Sequence, residues 1–373
     1  MKTEILTIQG VDDVQAIQKA ARLLDQGCLV AFPTETVYGI GCSVQREAIQ
    51  RLNALKGRHP DKHYTLHVGN HAQITNFVPS MSLRASKLIQ NGLPGPMTVI
   101  FELDSQAIHQ LRKTYAEEVP DLLCRDGTVG IRYPDNPVAA AVLSAAQSPI
   151  VAPSANPADQ PPATTASEVM DYFDGHIDYI IKTPGDRCKY KESSTVMKVS
   201  TCGLEILREG AMPVDQIRKW STVRILFVCT GNTCRSPMAE GFCKKYFSDN
   251  LGCQVDELPD FGYIIESAGV AAFENSPASH NAVQVCHEQQ IDLRDHRSHQ
   301  LTPEIVEHSD VIFTMGNSHR LRVLQLVPSA SEKCFMLNPA SDIPDPVGMD
   351  VDVYRDCFRQ IKNDIVNTMN GIL

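Results

Sequence analysis

The sequence predicts an α/β protein of two domains: a twisted mixed-sheet domain in front and a doubly wound parallel-sheet domain behind. Three observations lead there. The 373 residues exceed what one compact core usually organises. Up to residue 212, short apolar runs alternate with turns, without a regular helix between successive strands. From Val223 a cleaner strand–helix alternation begins.

Taken in order, Val14, Ile17, Ala21 and Leu24 recur at helical spacing, and Cys28–Phe32 reads as a strand. Ile49, Leu52 and Leu55 mark a second helix. Strand-like runs follow at Tyr64–Val68, Met97–Leu103, Val129–Tyr133, Pro149–Ala152, Tyr179–Ile181, Thr195–Val199 and Leu204–Leu207. The pattern lapses around Gly210–Thr222, where Trp220, the only tryptophan, lies. The expected division is therefore 1–212, a linker 213–222, and 223–373. In the second part Val223–Val228 is a strand and Pro237–Phe247 a helix. Glu304–His308, Val311–Met315 and Val353–Met369 continue the alternation.

A composition of 43% hydrophobic and 21% charged residues is that of a globular chain, which excludes disordered and fibrous classes. Residues up to 212 carry 20 basic and 23 acidic side chains, and the remainder 14 and 21. Neither part has the basic excess of a protein that grips nucleic acid by its phosphates, so direct binding of nucleic acid, tRNA and any other RNA included, is not expected. No signal-peptide core stands in Met1–Gly10, and no run approaches a membrane span. The twelve cysteines form no CxxC pair and read as reduced thiols, again pointing to the cytoplasm.

The segment VRILFVCTGNTCRSPMAEGF carries the most chemistry. An apolar strand ends at Cys229, a tight loop follows, and Pro237 opens a helix. Loop N–H groups and the helix N-terminus make an anion cradle, and the same field favours a thiolate at Cys229. Gly231 permits the turn, and Arg235 can fork onto phosphoryl oxygens. A bare C-x5-R would mean little; strand, cradle, Ser-Pro and helix together give it meaning. The segment resembles the low-molecular-weight protein tyrosine phosphatase family over about 223–373. The resemblance implies a general acid before a proline near the C-terminus, supplied here by Asp345 in DIPDPVG, with Ser236 on the Cys229 sulfur and Asn232 holding the loop. Tyrosine-specific relatives carry a bulky aliphatic residue at Thr233 and aromatics after the Asp-Pro, where this chain has Val347 and Gly348. Thr233 resembles the protein-arginine phosphatase branch. An arsenate reductase would need two further cysteines close together, and Cys286 stands alone.

In the front domain, FPTETVYGIG, LNALKGR, LPGPMTVIF, TVGIRYP, APSAN, KESSTV and LREG are individually weak signals. In this order they resemble the YrdC-like threonylcarbamoyl-AMP synthase family over about 1–212, with its K-x-R and S-x-N pairs at Lys56/Arg58 and Ser154/Asn156. The resemblance implies synthesis of threonylcarbamoyl-adenylate from L-threonine, bicarbonate and ATP, serving a downstream tRNA threonylcarbamoyl transferase machinery. It assigns Thr34, His67, Arg132, Ser154 and Ser194 to threonine. It assigns Lys56, Arg58, Lys62, Thr128, Asn156, Thr164 and Arg208 to ATP, with Mg2+ on the phosphates. Lys62 and His63 replace the family's usual Asn and Pro, and PADQPPATT lacks the usual Ser-Gly. These altered loops leave open a second reading, a non-catalytic nucleotide- or RNA-binding or regulatory module. His59, His63, His67 and His71 stand at four-residue intervals, but Pro60 argues against one helix, and no metal site is expected.

Overall fold

The structure is a computed structural model describing residues 2–57, 63–185, 187–200 and 203–369. Arg58 and Lys62, both assigned to ATP above, lie outside these residues. Contacts divide the chain into two units, one running essentially to Trp220 and the other from Ser221.

Among the described residues the first unit is built on ten strands: β1 Glu4–Thr7, β2 Val30–Phe32, β3 Gly39–Ser43, β4 Thr65–His67, β5 Met97–Glu102, β6 Thr128–Arg132, β7 Ile150–Val151, β8 Tyr179–Lys182, β9 Thr195–Ser200 and β10 Gly203–Arg208. Their order is β1-β8-β2-β3-β7-β4-β6-β5-β9-β10. Directions are mixed: β4 runs parallel to β6 but antiparallel to β7, and β5 runs parallel to β9 but antiparallel to β6. One core gathers Leu52, Leu66, Ile74, Val99 and Ile131; another gathers Leu24, Phe32, Val142 and Ile150. The helix Val14–Asp25 buries Ile17, Ala20, Ala21 and Leu24, and Asp13 caps it by accepting the Ala16 N–H at 3.3 Å.

Several helices stand where the sequence suggested strands and turns alone, among them His71–Phe77, Leu83–Gly92, Ser105–Thr114 and Pro137–Ala145. The last is apolar almost all round, so its 3.6-residue period is hidden. The segment read as a linker holds a further helix, Val214–Ser221. Ile217 and Trp220 pack it against the first core.

The second unit has β11 Val223–Cys229, β12 Tyr263–Gly269, β13 Val311–Thr314 and β14 Cys334–Met336, in the order β12-β11-β13-β14 and all parallel. The pleat sorts β11 into two layers. Val223, Ile225, Phe227 and Cys229 join the core formed with the helices Arg235–Leu251 and Val351–Met369. Leu226 and Val228 join Val306, Ile312 and Val323 on the other side. The central strand is therefore covered on both faces and delivers Cys229 at its C-terminal end, where open α/β sheets bind ligands. No helix among the described residues is long and apolar enough to cross a membrane.

Candidate active sites

In the second unit, Cys229 is buried at the end of β11, with its Sγ 3.0 Å from Ser236 Oγ. The Asn232 N–H donates to that sulfur at 3.2 Å. Asn232 itself is in the left-handed region, φ 54°. Its side chain fixes the turn: Nδ2 donates to Ser236 Oγ at 2.9 Å and Ser267 Oγ at 2.8 Å, and Oδ1 accepts the His299 N–H at 2.8 Å. A backbone N–H and a hydroxyl thus both stand within hydrogen-bond distance of the sulfur, which fixes it at the mouth of the loop, the placement a nucleophile needs. Gly269 makes the close approach of β12 possible: a Cβ there would meet Thr230 O at 2.5 Å and Asn232 N at 3.0 Å.

Arg235 is buried. Its Nη1 donates to Ile343 O at 3.0 Å and its Nη2 to Asp345 Oδ2 at 2.5 Å, while its Nε has no partner among the described residues. Asp345 thus stands beside the cradle arginine, and Val347 after it is 62% exposed, offering no packed wall. Thr233 is half-buried and anchors the loop by accepting the Ser279 N–H at 2.8 Å on its carbonyl. Cys234 faces elsewhere, 3.1 Å from Tyr354 Oη and 3.4 Å from Ser279 Oγ. Burial, and then the Cys234 contact, pushes the Tyr354 phenol up to about 12.

Two groups here escaped the sequence reading. His319 is buried with Nε2 2.9 Å from Thr230 Oγ1, and burial followed by the Arg235 charge lowers its pKa. Phe273 is 85% exposed, two residues beyond Ala271, whose N–H donates to Thr230 O at 2.9 Å. An exposed aromatic and a buried histidine have no spacing signal in one sequence.

The first unit holds a cavity of about 260 Å³ where Thr34, His67, Arg132, Ser154, Ser194 and Arg208 meet. They arrive from strand ends: His67 closes β4, Arg132 closes β6 and Arg208 closes β10. Arg132 Nη2 donates to Thr34 Oγ1 at 3.1 Å, to Glu35 Oε1 at 3.0 Å and to Thr36 Oγ1. Glu35, absent from the sequence-derived set though it stands in FPTETVYGIG, forms a buried ion pair that fixes the guanidinium. Arg132 Nε has no partner among the described residues.

Arg208 Nη2 donates to Ser194 O at 2.6 Å, and Ser194 Oγ is 3.0 Å from Thr98 Oγ1. Gly210 allows this close passage, since a Cβ would meet Ser193 O at 2.3 Å. Burial, and then the neighbouring Arg132 charge, lowers the Arg208 pKa. Two guanidiniums that repel across one cavity are poised for an anion. His67 Nδ1 faces Thr65 O at 3.1 Å; a carbonyl only accepts, so Nδ1 carries the proton and Nε2 is left as an acceptor. Burial and Arg132 depress its pKa to about 3, keeping the ring neutral.

Lys56 reaches the S-x-N loop, donating to Ser154 O at 2.6 Å, to Asn156 O and to Asn156 Oδ1 at 3.2 Å. Ser154 Oγ also donates to Asn156 Oδ1, at 2.6 Å. Thr164 donates its N–H and hydroxyl to Glu168 Oε2 at 2.6 and 3.1 Å. Thr128 opens β6, four residues from Arg132, or roughly 13 Å along an extended strand. The cavity thus gathers all five residues assigned to threonine, with Lys56 and Asn156 joined to it through Ser154. Thr128 and Thr164 stand apart from it. Among the described residues no cluster of three His, Cys, Asp or Glu side chains could hold a metal.

The chain belongs to two families. The Sua5/YciO/YrdC model, described as "Telomere recombination", matches residues 22–210, and the low molecular weight phosphotyrosine protein phosphatase model matches 224–372. The chain is 29% identical over 260 residues to threonylcarbamoyl-AMP synthase of Pyrococcus abyssi, covering 69% of this chain and 72% of that protein. It is 39% identical over 137 residues to the protein-arginine-phosphatase of Geobacillus stearothermophilus, covering 35% and 84%. A solved structure of a double-alanine variant of P. abyssi Sua5 matches with TM-score 0.50 at 20% identity over 90% of this chain and 98% of that one, a likeness of fold. A synthase-type domain and a phosphatase-type domain are joined in one polypeptide.

Proposed function

We propose that the chain makes L-threonylcarbamoyladenylate in its first unit and hydrolyses phosphoprotein through a phosphocysteine in its second, favouring phosphoarginine over phosphotyrosine. The convergence of Thr34, His67, Arg132, Ser154, Ser194 and Arg208 on one cavity carries the first half. Arg132, held by Glu35, pairs with the threonine carboxylate, and neutral His67 accepts from the hydroxyl or amine. The amine and bicarbonate give a carbamate and water; a carbamate oxygen then attacks the α-phosphorus and pyrophosphate departs. Positioning and charge neutralisation by Arg208, Lys56 and Arg58 supply most of the rate. Magnesium fits as a passenger on the ATP phosphates, because the donor set offers hydroxyls and cations and its one buried carboxylate, Glu35, is engaged by Arg132. It would shield phosphate charge there. The product would pass to a tRNA threonylcarbamoyl transferase.

In the second unit, Cys229 Sγ attacks phosphorus as the P–N or P–O bond breaks, Arg235 neutralises the phosphoryl oxygens, and Asp345 protonates the leaving atom. Asp345 then takes a proton from the water that hydrolyses the phosphocysteine. Thr233 and the lack of an aromatic after Asp345 support the phosphoarginine preference, as does the named activity of the Geobacillus relative.

Two assays test the reading. Pyrophosphate release should require threonine, bicarbonate and ATP together; release from none of their combinations would reduce the first unit to a binding module. In parallel turnover, kcat/KM should be higher for phosphoarginine than for phosphotyrosine, and the reverse order would return the second unit to the tyrosine class.

A further inference from the structure

The segment Arg187-Cys188-Lys189-Tyr190-Lys191 carries three cations in five residues. Backbone bonds tie it to Thr164 at one end and to the residues that hold Arg132 at the other. Cys188 N–H donates to Thr164 O at 3.0 Å, Tyr190 N–H to Glu35 O at 2.9 Å, and Lys191 N–H to Thr36 O at 3.0 Å. Glu35 and Thr36 are the residues that hold Arg132, and Ser193 and Ser194, just beyond, line the cavity. The segment therefore runs from the nucleotide-assigned Thr164 to the cavity wall. Lys189 and Lys191 are both exposed, and Lys189 Nζ lies 4.9 Å from the Tyr190 ring centroid.

Lys191 has φ 58°, in the left-handed region that glycine adopts without cost and lysine does not. Strain of this kind is a reason to look for function.

We infer that residues 187–191 form an anion strap of the synthase site, with Lys191 contacting the pyrophosphate end of the nucleoside triphosphate. The inference rests on the synthase reading above. As the carbamate oxygen bonds to the α-phosphorus, the bond from that phosphorus to the α–β bridging oxygen breaks. The electron pair stays on the departing pyrophosphate. A cation carried on backbone that is fixed beside the cavity would stabilise the charge as it develops.

The test uses the full chain and titrates pyrophosphate with Mg2+ by calorimetry into wild type, Lys191→Gly and Lys191→Arg. Lys191→Gly should weaken binding about tenfold, the scale of one charge-assisted hydrogen bond. Lys191→Arg should stay within about twofold of wild type, since the charge is kept. The melting temperature of Lys191→Gly should equal or exceed that of wild type, because glycine relieves the backbone. Phosphatase turnover should be the same in all three. Lys191→Gly binding pyrophosphate as wild type does would make the segment a solvated turn and overturn the inference while leaving the synthase reading standing. A wild type that binds no pyrophosphate would overturn both.

Discussion

Cys229 and Cys234 share one loop but keep different company. Cys229 meets a serine hydroxyl and a backbone N–H, whereas Cys234 meets a tyrosine phenol. Cys229→Ser should abolish turnover yet retain vanadate binding, since the cradle is made by backbone N–H groups and Arg235. Cys234→Ser should keep most of the rate and lose about 1 kcal/mol of stability, the worth of a hydrogen bond; a dead Cys234→Ser would move the nucleophile there. Thr233→Ile should swing the phosphoarginine-to-phosphotyrosine kcat/KM ratio toward phosphotyrosine by roughly tenfold, or about 1.4 kcal/mol of transition-state binding. An unmoved ratio would shift attention to Phe273. His67 makes a pH prediction. Its folded pKa of about 3 lies below the ordinary 6.5, so below pH 6.5 the unfolded chain takes up a proton that the folded chain refuses. The first unit should lose about 1.4 kcal/mol per pH unit between those values from this group alone. Denaturant titrations of wild type and His67→Gln at pH 7 and pH 5 should show a smaller acid loss in the variant.

At the scale of elements, the cradle depends on β12 as much as on its own loop. Gly269→Ala puts a methyl against the Thr230 carbonyl and should lower phosphatase kcat by tenfold or more, on the usual cost of displacing reacting groups. Phosphate affinity measured alongside should fall with it, because the displaced atoms are the binding atoms. The Cys229 strand and the helix after it were legible because local patterns specify them, an apolar run and a Ser-Pro helix start; Asp345 came only with the family resemblance, and the structure brings it beside Arg235. Glu35 and His319 were not, since their meaning lies in partners 97 and 89 residues away. The helix Val214–Ser221 was hidden in a polar join, where Ile217 and Trp220 supply the apolar packing. Pro137–Ala145, apolar almost all round, has no period to read.

At the scale of the whole molecule, two units each carry one candidate site. Phe227 is fully buried in the second unit, and Phe227→Ala should cost that unit about 3–5 kcal/mol. Phosphatase activity should then fail at lower urea, while pyrophosphate release persists to the wild-type concentration. Coincident loss of both would mean that the chain unfolds as one cooperative body.

Trp220 settles how such an experiment is watched. It belongs to the first unit, beside Gly92, where a Cβ would come 3.2 Å from its ring. As the sole indole in 373 residues, it makes the chain optically lopsided. Emission excited at the red edge of protein absorbance reports the front half alone, and the back half melts in the dark. A single fluorescence transition from this protein is therefore half a measurement, and the other half has to be taken from phosphate release.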